Sequence, residues 1–165
     1  MTIEASKTLL ENAKSDFASW QQEITLIKNI TVIYTSWYPE VIDSLCSSAR
    51  DFFSVLEVPS EKIDFVKVSG SWELPLVAKA YLAANKKPDM ILALGCVVKG
   101  ATPHFDILCQ AVARQLMELQ VNEKTPIGFG VLTVNNLEQA LARKDKGAEA
   151  AEAALRSWVQ LKGIR

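Results

Sequence analysis

The stretch Met90-Ile91-Leu92-Ala93-Leu94-Gly95-Cys96-Val97-Val98 is the most apolar run in the chain, and Lys99-Gly100-Ala101-Thr102-Pro103-His104 follows it directly. A continuous apolar run of this length suits a central strand of a parallel sheet that is covered by helices on both faces. Upstream, Ile30-Thr31-Val32-Ile33-Tyr34-Thr35 and Ile63-Asp64-Phe65-Val66-Lys67-Val68 read as strands, and downstream Ile127 to Thr133 reads as a fourth. Helical patterns separate them. Val41 to Leu56 is stopped by Pro59, and Trp72 to Ala84 is closed by Asn85 and Pro88. Pro103 to about Gln120 forms the next helix, and Asn136 to Arg143 and Ala148 to Leu161 complete the series. Four βα cycles of this kind predict an α/β chain in three α/β/α layers, with a central parallel sheet of about four strands. Ahead of them, Ile3 to about Phe17 has Leu9, Leu10, Ala13 and Phe17 at helical spacing; it reads as an amphipathic helix or, equally, as a loosely attached tail.

The 165 residues are expected to form one domain over 1–165, with 1–20 an atypical leading segment. Hydrophobic residues at 49% and charged residues at 22% provide for a packed core and argue against disorder. A net charge of −1 argues against a nucleic-acid binder or a basic membrane-surface protein. No apolar run approaches the ~20 residues of a membrane helix. The opening MTIEASKTLLENAKSD carries acids early and no apolar core, unlike a secretory signal. Cys46, Cys96 and Cys109 are odd in number and unpaired in spacing, which disfavours a disulfide scaffold or zinc module and leaves a reducing cytoplasm as the expected location. A single histidine excludes a multi-His metal site, and no metal is expected.

Parallel α/β sheets bind ligands beyond the carboxyl ends of their strands. The first strand end carries Ser36-Trp37-Tyr38-Pro39, where Trp37 either stacks on a planar ring or packs down on the sheet edge. The second carries Ser69-Gly70-Ser71-Trp72-Glu73-Leu74-Pro75; here Ser71 can cap a helix starting at Trp72, and Glu73 suits the dipole of its first turn. After the third, Thr102 is a good N-cap and Pro103 fits the first helical position, so the amides around Gly100 to Thr102 are free for an anion. Lys99 is either an added positive charge there or a solvated strand-end lysine. His104 falls in the first helical turn, where the dipole favours a neutral imidazole that can take up a proton; a surface histidine is the plainer alternative. In the fourth strand, Gly128 and Gly130 flank Phe129, a pattern of close backbone approach or bending. Beyond it, Arg143-Lys144-Asp145-Lys146-Gly147 either clamps a phosphate or terminates a helix with cations and glycine.

Taken in order, these segments resemble the lumazine synthases, which catalyse the penultimate step of riboflavin biosynthesis. The resemblance rests on Ser69-Gly70-Ser71-Trp72-Glu73-Leu74-Pro75, on Ala93 through Asp106, on Gly128-Phe129-Gly130-Val131-Leu132-Thr133, and on Glu138-Gln139-Ala140, Arg143 and Lys146-Gly147-Ala148-Glu149-Ala150-Ala151. It spans roughly Ile30 to Leu161. It implies a flavodoxin-like fold, assembly into homopentamers or multiples of them, and condensation of 5-amino-6-ribitylamino-uracil with 3,4-dihydroxy-2-butanone 4-phosphate. No metal or organic cofactor is implied. Residue by residue, Trp37 matches the aromatic that stacks on the pyrimidine, and Ser71, Trp72 and Glu73 match the segment holding the ribityl chain. Val97 and Val98 match the strand end whose backbone reads the pyrimidine edge. Ala101 and Thr102 match the phosphate-contacting turn beside Lys99, and His104 matches the proton-transfer residue. Phe129 matches the aromatic from the adjacent subunit, Arg143 the phosphate-binding arginine, and Lys146 a lysine close to the site.

Three features depart from that pattern. After the aromatic of the first turn, where family members commonly have an asparagine, this chain has Tyr38 and then Pro39; only Lys144-Asp145 separates Arg143 from Lys146, shorter than the family's usual Gly-rich loop; and the segment through Trp20 does not follow the usual leading strand. Two other functions compete: an archaeal-type riboflavin synthase, which the Thr102-Pro103-His104-Phe105-Asp106 run disfavours, and a non-catalytic flavin-binding or shell protein, which His104 and Arg143 disfavour.

Overall fold

Four parallel strands, β1 (Ile30–Thr35), β2 (Ile63–Val68), β3 (Met90–Val98) and β4 (Ile127–Val134), pair in the order β2-β1-β3-β4. This is a computed structural model, and it describes residues 8 and 12–164. The apolar stretch that predicted a central strand is β3, flanked by β1 on one side and β4 on the other. Its side chains alternate between two cores. Met90, Leu92, Leu94 and Cys96 pack under α2 (Pro39–Val55) and α6 (Lys146–Ile164), while Ile91 and Ala93 pack under α3 (Leu74–Leu82) and α4 (His104–Glu123). Burial on both faces is why β3 carries no charge, as the exposed edge strand β2 does at Asp64 and Lys67. Two helical layers therefore sandwich one sheet, giving the three layers that the sequence predicts.

Backbone-to-backbone contact sets two of the helix positions. A Cβ on Gly128 would lie 2.3 Å from the Ala150 carbonyl oxygen, so α6 rests directly on β4 there. A Cβ on Gly147 would lie 1.9 Å from the Leu45 carbonyl oxygen, where α6 crosses α2. This corrects the reading of Gly147 as a helix terminator: it lies in the first turn of α6, which begins at Lys146, two residues ahead of the expected start. The basic cluster before it is a connecting turn after α5 (Leu137–Leu141). That helix is shorter than Asn136 to Arg143 because Asn136 is its N-cap, its Oδ1 accepting the Gln139 amide at 2.9 Å.

Residues 12–16 are helical, and the short helix α1 (Gln21–Thr25) follows them ahead of β1. Ala13 and Phe17 are buried against the core, which excludes a loose tail for this part; Leu9 and Leu10 lie outside the described residues. Phe17 meets Phe52 and Trp20 edge-on, and the Arg156 guanidinium lies 4.6 Å above the Phe17 ring. Among the described residues, no helix is long and apolar enough to cross a membrane.

Candidate active site

The chain runs from β1 outward to β2 and then returns across β1 to β3, so the strand order reverses between β1 and β3. A crevice opens at such a reversal, beyond the carboxyl ends of the strands. The pairing register deepens it. β1 pairs with β3 only as far as Tyr34 opposite Leu94, whereas β3 pairs with β4 as far as Val98 opposite Val134. The last four residues of β3, Gly95 to Val98, thus present their β1-facing edge without a strand partner. Unpaired strand edges offer backbone donors and acceptors to a planar ligand.

The β1 and β2 ends are tied together above this crevice. Ser36 Oγ donates to the Val68 carbonyl at 2.8 Å, and the Ser36 amide donates to the Ser69 carbonyl at 3.4 Å. Trp37 is left 67% exposed, which removes the packed-down alternative. Its ring passes 3.6 Å from where a Gly70 Cβ would sit. The residue after it, Tyr38, is the N-cap of α2 with φ 58° and ψ 63°, a left-handed backbone stabilised by core packing of its ring.

Ser71 to Glu73 form a 3-10 turn rather than the start of the helix, and α3 begins only at Leu74. Ser71 is not the cap expected of it. Gly70 occupies the N-cap, and Glu73 Oε2 reaches back to accept the Gly70 amide at 2.8 Å. Among the described residues Glu73 Oε1 makes no hydrogen bond, so one carboxylate oxygen remains available. Trp72, 63% exposed, lines a groove with Leu76 and Ala111 between α3 and α4.

On the far side of β3, the Lys99 amide continues the ladder by donating to the Val134 carbonyl at 2.8 Å. Gly100, Ala101 and Thr102 then turn into α4. Pro103 is the N-cap and His104 the first helical residue, one position later than expected, and Thr102 makes no capping bond. Proline has no amide to donate, and among the described residues the amides of Gly100 to Thr102 find no backbone acceptor. They point to a helix N-terminus with donors to spare, a ready site for an anion. His104 is exposed beside them, and Lys99 Nζ lies 5.7 Å from the centroid of the Phe105 ring.

Two of the anticipated residues stand apart. Phe129 pairs with Ala93, four positions before Val97, so it lies roughly 13 Å back along the sheet from the strand end at ~3.3 Å per residue. It is 46% exposed on the edge strand and cannot reach the crevice of its own chain. Arg143 lies past the end of α5, where its Nη1 donates to the Gln139 carbonyl at 2.7 Å. That bond is the helix-terminating role, and it occupies one of five guanidinium donors. Arg143 shares a surface hollow with Lys146, whose Nζ is paired with Glu149.

The family model for 6,7-dimethyl-8-ribityllumazine synthase matches residues 28–162. The chain belongs to the lumazine synthase family. Relatives named 6,7-dimethyl-8-ribityllumazine synthase include that of Kineococcus radiotolerans, 40% identical over 142 residues, which cover 82% of this chain and 86% of the relative. That of Streptomyces coelicolor is 39% identical over the same span, and that of Desulfovibrio desulfuricans is 37% identical over 131 residues. The left-handed backbone at Tyr38 is one that asparagine, the residue the resemblance leads one to expect there, tolerates better than tyrosine. The features that sequence reasoning missed are the free edge of Gly95 to Val98 and the buried Thr35 hydroxyl at the end of β1. The first depends on strand register and the second on how the strand end packs, and neither leaves a mark in residue order.

Proposed function

We propose that the crevice between β1 and β3 condenses 5-amino-6-ribitylamino-uracil with 3,4-dihydroxy-2-butanone 4-phosphate to give 6,7-dimethyl-8-ribityllumazine, with release of phosphate and water. The observation that carries this reading is the extension of β3 beyond β1, with a stacking aromatic on one side of the free edge and an anion-ready helix N-terminus on the other. The pyrimidine lies against Trp37, its polar edge on the backbone of Val97 and Val98. Ser71, Trp72 and the open oxygen of Glu73 take the ribityl chain. The phosphate sits on the amides of Ala101 and Thr102, with Lys99, Arg143 and the nearby Lys146 supplying positive charge.

The chemistry asks little beyond placement and proton movement. An amine adds to the ketone and water leaves as the imine forms; elimination of phosphate leaves an enol that becomes a second ketone, and the second amine closes the ring on it with loss of a second water. His104, beside the phosphate turn, takes up and returns protons along this path. Holding two reactants in register supplies up to about 7–11 kcal/mol, the larger share of the acceleration.

Phe129 serves the crevice of a neighbouring chain, which makes the active unit a homo-oligomer, built on a five-fold ring. The apolar side chains Leu76, Ile107, Met117 and Val121 exposed on α3 and α4 are the surface such an assembly would cover. The direct test is His104→Ala. Loss of a positioned proton-transfer group lowers kcat about 10²–10⁴-fold, with substrate KM values and assembly preserved. A wild-type rate removes His104 from the mechanism.

A further inference from the structure

Three described residues other than glycine have a positive φ: Tyr38, Glu57 and Lys124. Glu57 and Lys124 follow the ends of α2 and α4, where a left-handed residue is an ordinary way for a helix to stop. Tyr38 stands instead at the start of a helix, directly after Trp37. Its backbone, at φ 58° and ψ 63°, is disfavoured twice. A bulky side chain is an outlier there, and Pro39 pushes the residue before it toward extended backbone. Such a conformation persists only where its surroundings over-determine it, and outliers of this kind gather at ligand clamps. Two contacts hold this one. The Tyr38 carbonyl accepts the Val41 amide at 2.9 Å and the Ile42 amide at 3.1 Å, which locks the residue to the first turn of α2. Its ring, half-buried, packs on the core that α2 and α6 cover. On the other side of Trp37, Ser36 is fixed by its two hydrogen bonds to the end of β2. Trp37 is thus a solvent-facing aromatic held between two anchored neighbours.

We propose that Tyr38 is a positioning residue for the pyrimidine substrate, acting through Trp37. The buried ring holds the strained backbone, and that backbone turns the chain from the end of β1 into α2 with Trp37 left standing at the crevice. The strain is borne in the free protein, so that less ordering of Trp37 remains to be done when the pyrimidine stacks on it. This rests on the assignment of Trp37 to the pyrimidine.

The experiment compares Tyr38→Asn, Tyr38→Gly, Tyr38→Phe, Trp37→Ala and the double variant Trp37→Ala/Tyr38→Asn in steady-state assays of the assembled protein with both substrates. Asparagine and glycine both accept a left-handed backbone, so these variants remove the ring without adding strain, and the second stands in should the first fail to assemble. Each is expected to raise the pyrimidine KM about three- to tenfold, up to the worth of an aromatic stacking contact, with the KM of the ketone phosphate within about twofold. Tyr38→Phe, which keeps the ring, holds the pyrimidine KM within about twofold of wild type. Because Tyr38 acts only through Trp37, adding Tyr38→Asn to Trp37→Ala changes the pyrimidine KM no further, whereas a merely structural tyrosine would make the two effects multiply. An equal rise for both substrates, multiplying effects, or a Tyr38→Phe variant as impaired as Tyr38→Asn overturns the proposal. If Trp37→Ala raises the pyrimidine KM while Tyr38→Asn and Tyr38→Gly do not, the role of Tyr38 alone falls. If Trp37→Ala leaves that KM unchanged, the assignment of Trp37 falls and the proposal with it.

Discussion

Gly147→Ala sets two physical effects of opposite sign against each other. In a helix interior alanine is favoured over glycine by about 0.8–1 kcal/mol, so propensity alone stabilises the variant. Packing opposes it. The new methyl would lie 1.9 Å from the Leu45 carbonyl oxygen, 2.7 Å from its carbon and 2.6 Å from Ser48 Oγ. Comfortable carbon contacts lie at about 3.5–4 Å, so α6 must withdraw from α2 by about 1.5 Å, more than the gap that forfeits half of a dispersion contact. The withdrawal loosens Leu45, Ala49, Ala148, Ala151 and Leu155 together and stretches the Ala148 amide bond to Ser48 Oγ, now 3.2 Å. Overpacking on this scale costs about 3–5 kcal/mol, at and beyond the upper end of the usual range. The net loss is about 2–4 kcal/mol, or about 5–15 °C in Tm for a chain of this size. Gly163→Ala in the same helix is the control, because nothing lies within 4 Å of its Cβ position; it should be neutral or stabilising by up to about 1 kcal/mol. Urea and thermal unfolding of both variants decide the point. A Gly147→Ala protein as stable as the wild type would refute the direct contact between α2 and α6.

Arg143→Ala should raise the KM for the ketone phosphate far more than that for the pyrimidine, because a guanidinium suits bidentate phosphate binding; equal rises would mark a helix-end role only. Burial pushes the Cys46 and Cys96 thiols up to about 11 from 9.0. Below pH 9 the native and unfolded chains both keep these protons, while between 9 and 11 only the native chain does, so stability should fall as pH rises through that window. Urea unfolding from pH 8 to 10.5 checks this, and a flat profile contradicts it.

The central strands were legible nearly to the residue because burial on both faces leaves mostly apolar and no charged side chains, as in Ile30–Thr35 and Met90–Val98. The glycines of β4 announced close approach, and α6 supplies it. Helix starts were harder to read. Thr102 and Ser71 look like caps, yet Pro103 and Gly70 hold those places, because the turn before a helix is shaped by the strand end that delivers it. Gly147 reads as a terminator until a second helix is seen crossing it. For the site, the residues around the crevice were found from where the strands end, but Phe129 shows the limit of that approach. It lies on a strand whose end belongs to the site, yet it pairs with Ala93 well back from the crevice, which is why a neighbouring chain's site is proposed for it.

That division of the site is tested most directly by mixing. Phe129→Ala and His104→Ala chains, each severely impaired alone, are unfolded together, co-assembled, and assayed for lumazine formation. Interfaces that join an intact Phe129 to an intact His104 arise in a fraction of the mixed rings, so activity should recover above that of either variant. Rings shown to be mixed that stay as inactive as the single variants would contradict a site shared between subunits, as would a fully active monomer.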